Sequence, residues 1–288
     1  MAFNLQTFKT RALTALIFVA VMLAGLLWNQ ASFFLLFTVI HFGCWIEYQK
    51  LIGKIDPEYQ QISNFHRYGI MIAGWCFLWY FTNDDLQFLG IRMHALGFWT
   101  GLVLLFVLPI VELLFSNNLS LKNIGRSALG ILYISLSWGL MMDLRSNQWL
   151  EGISGYTIPL VLIASIWIND TMQYIVGSLI GKTPFSKISP KKTWEGTVGG
   201  SILAVVAVTL FMNYREDGAH TWYWFGIAMI GAVIGTLGDL LESKIKRMAD
   251  VKDSGSIMPG HGGFLDRFDS LILATPFAWL LTALTQWV

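Results

Sequence analysis

Apolar runs long enough to cross a lipid bilayer recur along almost the whole 288-residue chain. They cover 12–28, 33–51, 68–82, 95–115, 128–142, 157–180, 197–212, 222–240 and 271–288. A hydrocarbon core about 30 Å thick takes about 20 helical residues. Within it every backbone N–H and C=O must bond inside the protein, which leaves only helices and closed barrels. Unbroken apolar runs, rather than alternating ones, select helices. The expected fold is therefore all-α, a polytopic integral membrane protein with about nine transmembrane helices. Composition agrees, since 55% of residues are apolar and 13% charged, against about 25% charged in soluble domains; mean hydropathy is +0.57.

Lys9 and Arg11 precede the first run as they would in a signal peptide, but no Ala-x-Ala cleavage pattern follows Trp28. The first helix is therefore expected to be retained. The chain reads as a single membrane domain, with about five N-terminal transmembrane helices in 1–150 and, in 151–288, the C-terminal helices carrying the polar site. With the amino terminus in the cytosol, sixteen of the nineteen Lys and Arg residues fall on the cytosolic side, leaving Arg92, Arg145 and Arg215 opposite. Cytoplasmic loops carry the excess of Lys and Arg, so the polar site is expected on the cytosolic face of a bacterial inner membrane. The net charge of +1 gives no reason to expect nucleic acid as a partner. Cys44 and Cys76 lie in separate apolar runs and read as buried side chains. His41, His66, His94 and His220 read as structural.

The chemistry is concentrated at three places. Ser243–Asp269 holds Lys246-Arg247, Lys252-Asp253, Pro259-Gly260-His261-Gly262-Gly263, Asp266-Arg267 and Asp269 within 27 residues of an otherwise oily chain. Cations, carboxylates and glycines together suit a metal-bound polyphosphate, because glycine lets backbone N–H groups approach phosphate oxygens closely. On a helix, Asp239, Ser243 and Lys246 or Arg247 share a face; the same spacing would also let Asp239 be neutralised by its own cation. The loop 181–196 contains Ser189-Pro190-Lys191-Lys192-Thr193-Trp194-Glu195-Gly196, whose lysines and hydroxyls suit phosphate, although lysines of this kind also serve topology. Within the sixth run, Asn169, Asp170 and Gln173 are polar residues where apolar ones are cheaper. Asp269 also reads as an N-cap of the last helix. CxxC, HExxH and GxxxxGK[ST] patterns are absent.

The pattern from Ser243 to Asp269, preceded by Gly238-Asp239 and by Ser189–Gly196, resembles the signature of the phosphatidate cytidylyltransferase (CDP-diacylglycerol synthase) family. Glu47-Tyr48 resembles it more weakly, and Gln173 stands where many members have a small residue. The resemblance implies that CTP and phosphatidate give CDP-diacylglycerol and pyrophosphate at a site using Mg²⁺ and a second cation. It implies Asp239 and Asp266 as metal ligands sharing a cation, with Asp170 and Asp253 behind them. Lys191, Lys192, Lys246, Arg247, Lys252 and Arg267, with Ser189 and Thr193, would hold phosphates. Ser243 would be a donor or ligand, and His261 would contact the departing pyrophosphate. The expected partners are CTP, phosphatidate and the lipid bilayer, with a homodimer as the assembly. A CTP-dependent polyprenol kinase and a membrane transporter are the other classes compatible with a polytopic chain bearing buried charge.

Overall fold

The computed structural model describes residues 5–115, 120–186, 188–256 and 262–286, with side chains from Leu13 onward. Helices follow in the order α1 (Leu5–Leu27), α2 (Gln30–Ile55), α3 (Asn64–Tyr80), α4 (Met93–Phe115), α5 (Leu121–Gly130), α6 (Leu136–Ser146), α7 (Thr157–Ile180), α8 (Trp194–Arg215), α9 (Thr221–Met229), α10 (Gly235–Met248) and α11 (Leu265–Leu284). A 3-10 turn spans Pro57–Gln61, and a two-residue hairpin, β1 (Gln87–Phe88) with β2 (Ile91–Arg92), precedes α4. Among the described residues every apolar run read from the sequence falls mainly on helix. Seven described stretches are long and apolar enough to cross a membrane; α3, at 17 residues, and the Leu13–Leu27 part of α1 are shorter.

Two of these spans are not uniform. Ile131–Ser135 joins α5 to α6, and Ile230–Ile234 joins α9 to α10, each as one π-helical turn within an otherwise continuous helix. A π-turn accommodates one residue more than an α-turn, so the residues after it stand one position later in the sequence than an unbroken α-helix would place them. In the first span it accompanies Ser135, whose hydroxyl receives a hydrogen bond from Trp45 Nε1 at 2.9 Å and shares one with His41 Nε2 at 3.0 Å. His41 is thus structural, as expected, and Cys44 and Cys76 are buried free thiols.

Two compact units divide the chain. The first comprises 1–146 and 248–267, so the glycine-rich segment, C-terminal by sequence, groups with the N-terminal helices. Its core is aromatic and aliphatic, with Phe33, Phe37, Trp45, Leu78, Trp138 and Met141 almost wholly buried. A polar layer joins its helices: Tyr48 donates to the Arg126 carbonyl at 2.8 Å, His66 shares a 2.8 Å hydrogen bond with Ser127, and Arg126 pairs with Asp56. The second unit comprises 147–247 and 268–288. There α7 and α8 approach so closely that a Cβ on Gly200 would lie 2.4 Å from the Gln173 backbone nitrogen, and one on Gly196 2.8 Å from the Gly177 Cα. Small residues of this kind let membrane helices touch backbone to backbone.

Candidate active site

In the second unit the lysine loop is folded, not trailing. Pro184 and Thr193 bridge its two sides, Phe185 N–H donates to the Lys192 carbonyl at 2.8 Å, and Trp194 N–H donates to the Thr183 carbonyl at 2.9 Å. Thr193 caps α8, its hydroxyl accepting from Gly196 N–H at 3.1 Å. Glu195 ties the other end: its carboxylate accepts from the backbone N–H groups of Lys182 and Thr183, both at 3.1 Å, and from the Thr183 hydroxyl at 2.8 Å. Ser189 and exposed Lys191 sit in the turn that results, where Lys192 N–H donates to the Ser189 carbonyl at 3.2 Å. Lys187 lies outside the described residues.

This turn aims one lysine at the end of α10. Lys192 Nζ lies 2.5 Å from Asp239 Oδ2, both side chains about one quarter exposed. Lys246, one turn along the same helix face, pairs instead with buried Glu242 at 2.5 Å. The structure therefore pairs Asp239 with the lysine loop and not with a cation of its own helix, a partner that spacing along α10 had not offered. Around this pair the carboxylates of Asp170, Asp239 and Glu242 all lie close enough to Asp269 to act on its charge. Asp269 is almost fully buried and sits inside α11, which starts at Leu265, so it is not the N-cap of that helix. Gly238 makes the convergence possible, since a Cβ there would stand 2.6 Å from the Asp269 carbonyl oxygen and 2.9 Å from the Ser270 Cα. Ser243 is half-buried on α10, and Arg247, near its end, is exposed.

Asn169 and Gln173 belong to the frame of this cluster. Thr236, three residues before Asp239, accepts from Gln173 Nε2 at 2.8 Å and Asn169 Nδ2 at 3.3 Å, and itself donates to the Ala232 carbonyl at 2.7 Å. Ser201 on α8 donates to Asn169 Oδ1 at 3.1 Å. Gln173 is buried and directed at α10. It ties α7 to α10 through Thr236.

In the first unit a second polar node holds the glycine-rich segment. Glu47, a buried carboxylate in α2, accepts from Ser254 Oγ at 2.7 Å and from the N–H groups of Phe264 and Leu265, both at 2.9 Å. Asp266 Oδ2 accepts from Ser254 N–H at 2.9 Å, Gly263 N–H at 2.7 Å and the same Ser254 hydroxyl at 2.9 Å. A hydroxyl carries one proton, so Ser254 donates to one carboxylate at a time. These carboxylates stand where the first N–H groups of a helix lack partners and its dipole is positive. Gly262 has φ +81°, and a Cβ on Gly263 would fall 2.2 Å from Glu47 Oε1, so neither position admits an ordinary side chain. Lys252, Asp253 and Arg267 are exposed. His261, with Pro259 and Gly260, lies outside the described residues. Asp239 belongs to the second unit and Asp266 to the first.

Glu47, Ser254, Glu195, Glu242 and Asp269 are the participants that the assignment of site residues had left out. Glu47 had a signal, a lone carboxylate in the middle of an apolar run. Ser254 had none, because its role depends on two carboxylates, one 207 residues away along the chain.

Comparison with known proteins matches the profile of the cytidylyltransferase family over residues 9–285. A Bacillus subtilis phosphatidate cytidylyltransferase is 35% identical over 212 residues, 73% of this chain and 76% of that protein. The proteins of the same name from Staphylococcus saprophyticus and Staphylococcus aureus are 37% and 33% identical over 177 residues, 61% of this chain and 65% of theirs. With a match running through the lysine loop, the carboxylates of α10 and α11 and the glycine-rich segment alike, this chain belongs to the cytidylyltransferase family.

Proposed function

We propose that this protein is a phosphatidate cytidylyltransferase, transferring the cytidylyl group of CTP to phosphatidate to give CDP-diacylglycerol and pyrophosphate. An oxygen of the lipid phosphate attacks the α-phosphorus of CTP; the new P–O bond forms as the bond to the β-phosphate oxygen breaks, and pyrophosphate leaves with that electron pair. The attacking phosphate is already anionic, so no strong base is required, and catalysis consists of positioning and neutralisation of charge. The Lys192–Asp239 pair supports this reading above all, because it brings a folded, phosphate-compatible lysine loop onto a converging set of carboxylates.

Lys191 and Lys192 hold phosphate oxygens as point charges, with Ser189, Thr193, Ser243, Lys246 and Arg247 in the same unit. Lys252, Arg267 and His261 serve the same purpose from the glycine-rich segment. When the triphosphate arrives, Lys192 exchanges a carboxylate partner for a phosphate one. Among the described residues no group of three or more His, Cys, Asp or Glu side chains is arranged to hold a metal ion. Mg²⁺ is usually held by one or two carboxylates together with substrate phosphates and waters, not by an all-protein cage, and the carboxylates that converge near Asp269 are donors of that kind. Asp239 and Asp170 would be the hard oxygen donors for it in the second unit, and Asp266 and Asp253 in the first, and a second cation would be held in the same way. Such a cation would supply neutralisation of the triphosphate charge.

The bacterial relatives and the apolar helices point to a bacterial membrane; we assign the inner membrane, with the lysine loop and the glycine-rich segment on the cytosolic face and the protein as a homodimer. Purified protein given labelled CTP and a panel of lipid phosphates tests the function. A CDP-lipid with release of pyrophosphate is expected; CDP with a newly phosphorylated lipid would instead identify a kinase.

A further inference from the structure

A second feature of the α7–α10 region bears on how the lipid is held. A groove of about 500 Å³ runs between α8 and the α9–α10 span, walled by Val198 and Ile202 on one side and Phe225 and Val233 on the other. One end is contiguous in the chain with the ion pair: Trp194 lines it two residues after Lys192, and Leu237 lines it two residues before Asp239. A comparable groove of about 380 Å³ between α3 and α4, lined by Cys76, Phe98 and Leu105 among others, is contiguous in the chain with the His66–Glu112 pair instead.

Three hydroxyl side chains line the groove by α8 and α10, Thr197, Ser201 and Thr236. Ser201 donates to Asn169, and Thr236 donates to the Ala232 carbonyl. The Thr197 hydroxyl is shut away from solvent and makes no hydrogen bond within the described structure, on a residue 9% exposed. A buried unpaired hydroxyl costs free energy that an acceptor would recover. Thr197 lines the groove, and rotation about χ1 carries its hydroxyl to another staggered position from which it can donate there.

We propose that this groove is the acyl-chain subsite for the lipid phosphate substrate, and that Thr197 donates a hydrogen bond to the carbonyl of one of its acyl esters. The inference rests on the function proposed above for the substrate's identity. The walls match a hydrocarbon chain, an ester carbonyl is an acceptor with no proton of its own, and the phosphate is anchored at the end beside Lys192. General bilayer lipid lacks the terminal phosphate monoester that this geometry selects.

The test uses the full-length wild-type protein in phosphatidylethanolamine vesicles, with phosphatidate carrying a photoactivatable diazirine in one acyl chain. Adducts are expected on 198–206 and 225–233, suppressed by excess unlabelled phosphatidate and not by added phosphatidylethanolamine. Adducts confined to other helices, or equal suppression by both lipids, would overturn the subsite. Because labelling does not require turnover, it stays informative even if the protein forms no CDP-lipid, the result that would sink the function itself. For Thr197→Val we expect the KM for diacyl phosphatidate to rise about 3- to 10-fold with kcat and the KM for CTP unchanged, and no change toward a dialkyl ether analogue. An equal effect on ester and ether substrates, or none on either, would remove Thr197 from the role. Val198→Trp, with Val233→Trp as a second filling variant, should abolish labelling of the groove while leaving the KM for CTP unchanged; undiminished labelling in both counts against the proposal.

Discussion

Replacing Glu47 with alanine tests whether one carboxylate in α2 holds the glycine-rich segment in place. Glu47 accepts three hydrogen bonds, and the substitution strands the donors of Phe264 and Leu265; Ser254 can turn wholly to Asp266, 2.9 Å away. Each buried donor left without an acceptor costs about 1–3 kcal/mol, so the two backbone amides together cost about 2–6 kcal/mol. That is a large part of the 5–15 kcal/mol typical of a folded domain. The loss is local first, because the amides sit where α11 begins and the segment before it is rich in glycine. Hydrogen exchange in detergent should show the Phe264 and Leu265 amides opening about thirtyfold faster for every 2 kcal/mol lost. CDP-lipid formation should fall at least about tenfold. Glu47→Gln should be milder, since its single carbonyl oxygen can serve one amide well but its NH₂ group cannot accept. If Glu47→Ala leaves exchange at 264 and 265 within about threefold of wild type and turnover unchanged, the segment is held by something else.

The other predictions concern the second unit and the sidedness of the site. Lys192→Ala should lower kcat/KM by about tenfold or more through loss of a charged contact of roughly 1.5–3 kcal/mol; normal kinetics in it and in the Lys191→Ala, Lys192→Ala double variant would return the loop to a purely topological role. Asp239→Asn and Asp266→Asn should each reduce turnover about a hundredfold or more at saturating Mg²⁺ with the melting temperature preserved, and near-normal activity in either removes that residue as a metal ligand. Gln173→Leu should reduce turnover without changing which lipid phosphate is used, measured across the lipid panel; an altered acceptor preference would contradict the buried contact with Thr236. Ser256→Cys should react with a membrane-impermeant thiol reagent only when the cytosolic face is accessible, and labelling in intact cells would reverse the proposed topology.

The helices were legible because apolar runs report membrane crossings directly, and the lysine loop and carboxylate helix were legible as polar interruptions of them. The start of α11 was not. Its apolar run begins only at Leu271 because Asp266, Arg267, Asp269 and Ser270 dilute it, yet the helix starts at Leu265. Its first N–H groups are satisfied by Glu47, 217 and 218 residues upstream, a cap that no local window contains. Spacing along α10 likewise placed Asp239, Ser243 and Lys246 on one face but could not choose a partner for Asp239, because Lys192 arrives from another element. Thr236 was silent, since a threonine in an apolar run usually bonds its own helix; it does so here and in addition accepts from two amides of α7.

The π-turn at Ile230–Ile234 makes the placement of Asp239 a matter of residue count as much as of residue type. Removing one residue there would let the span close into ordinary α-helix without breaking it, at little expense in hydropathy or length. Because the π-turn is what takes up the extra residue, the helix beyond it would keep nearly the same azimuth, with Thr236 still facing Gln173 and Asp239 still facing Lys192. A residue removed instead from the uniform α-helix between Gly235 and Asp239 would turn everything beyond by about 100°, the angle one residue occupies in a 3.6-residue turn, and carry Asp239 away from Lys192. Such a shortened protein would look intact to any hydropathy scan and have lost its ion pair. Length in this one span is therefore as constrained as the identity of the carboxylate it delivers, and family members that lack the π-turn must carry one residue fewer between their counterparts of Trp224 and Asp239.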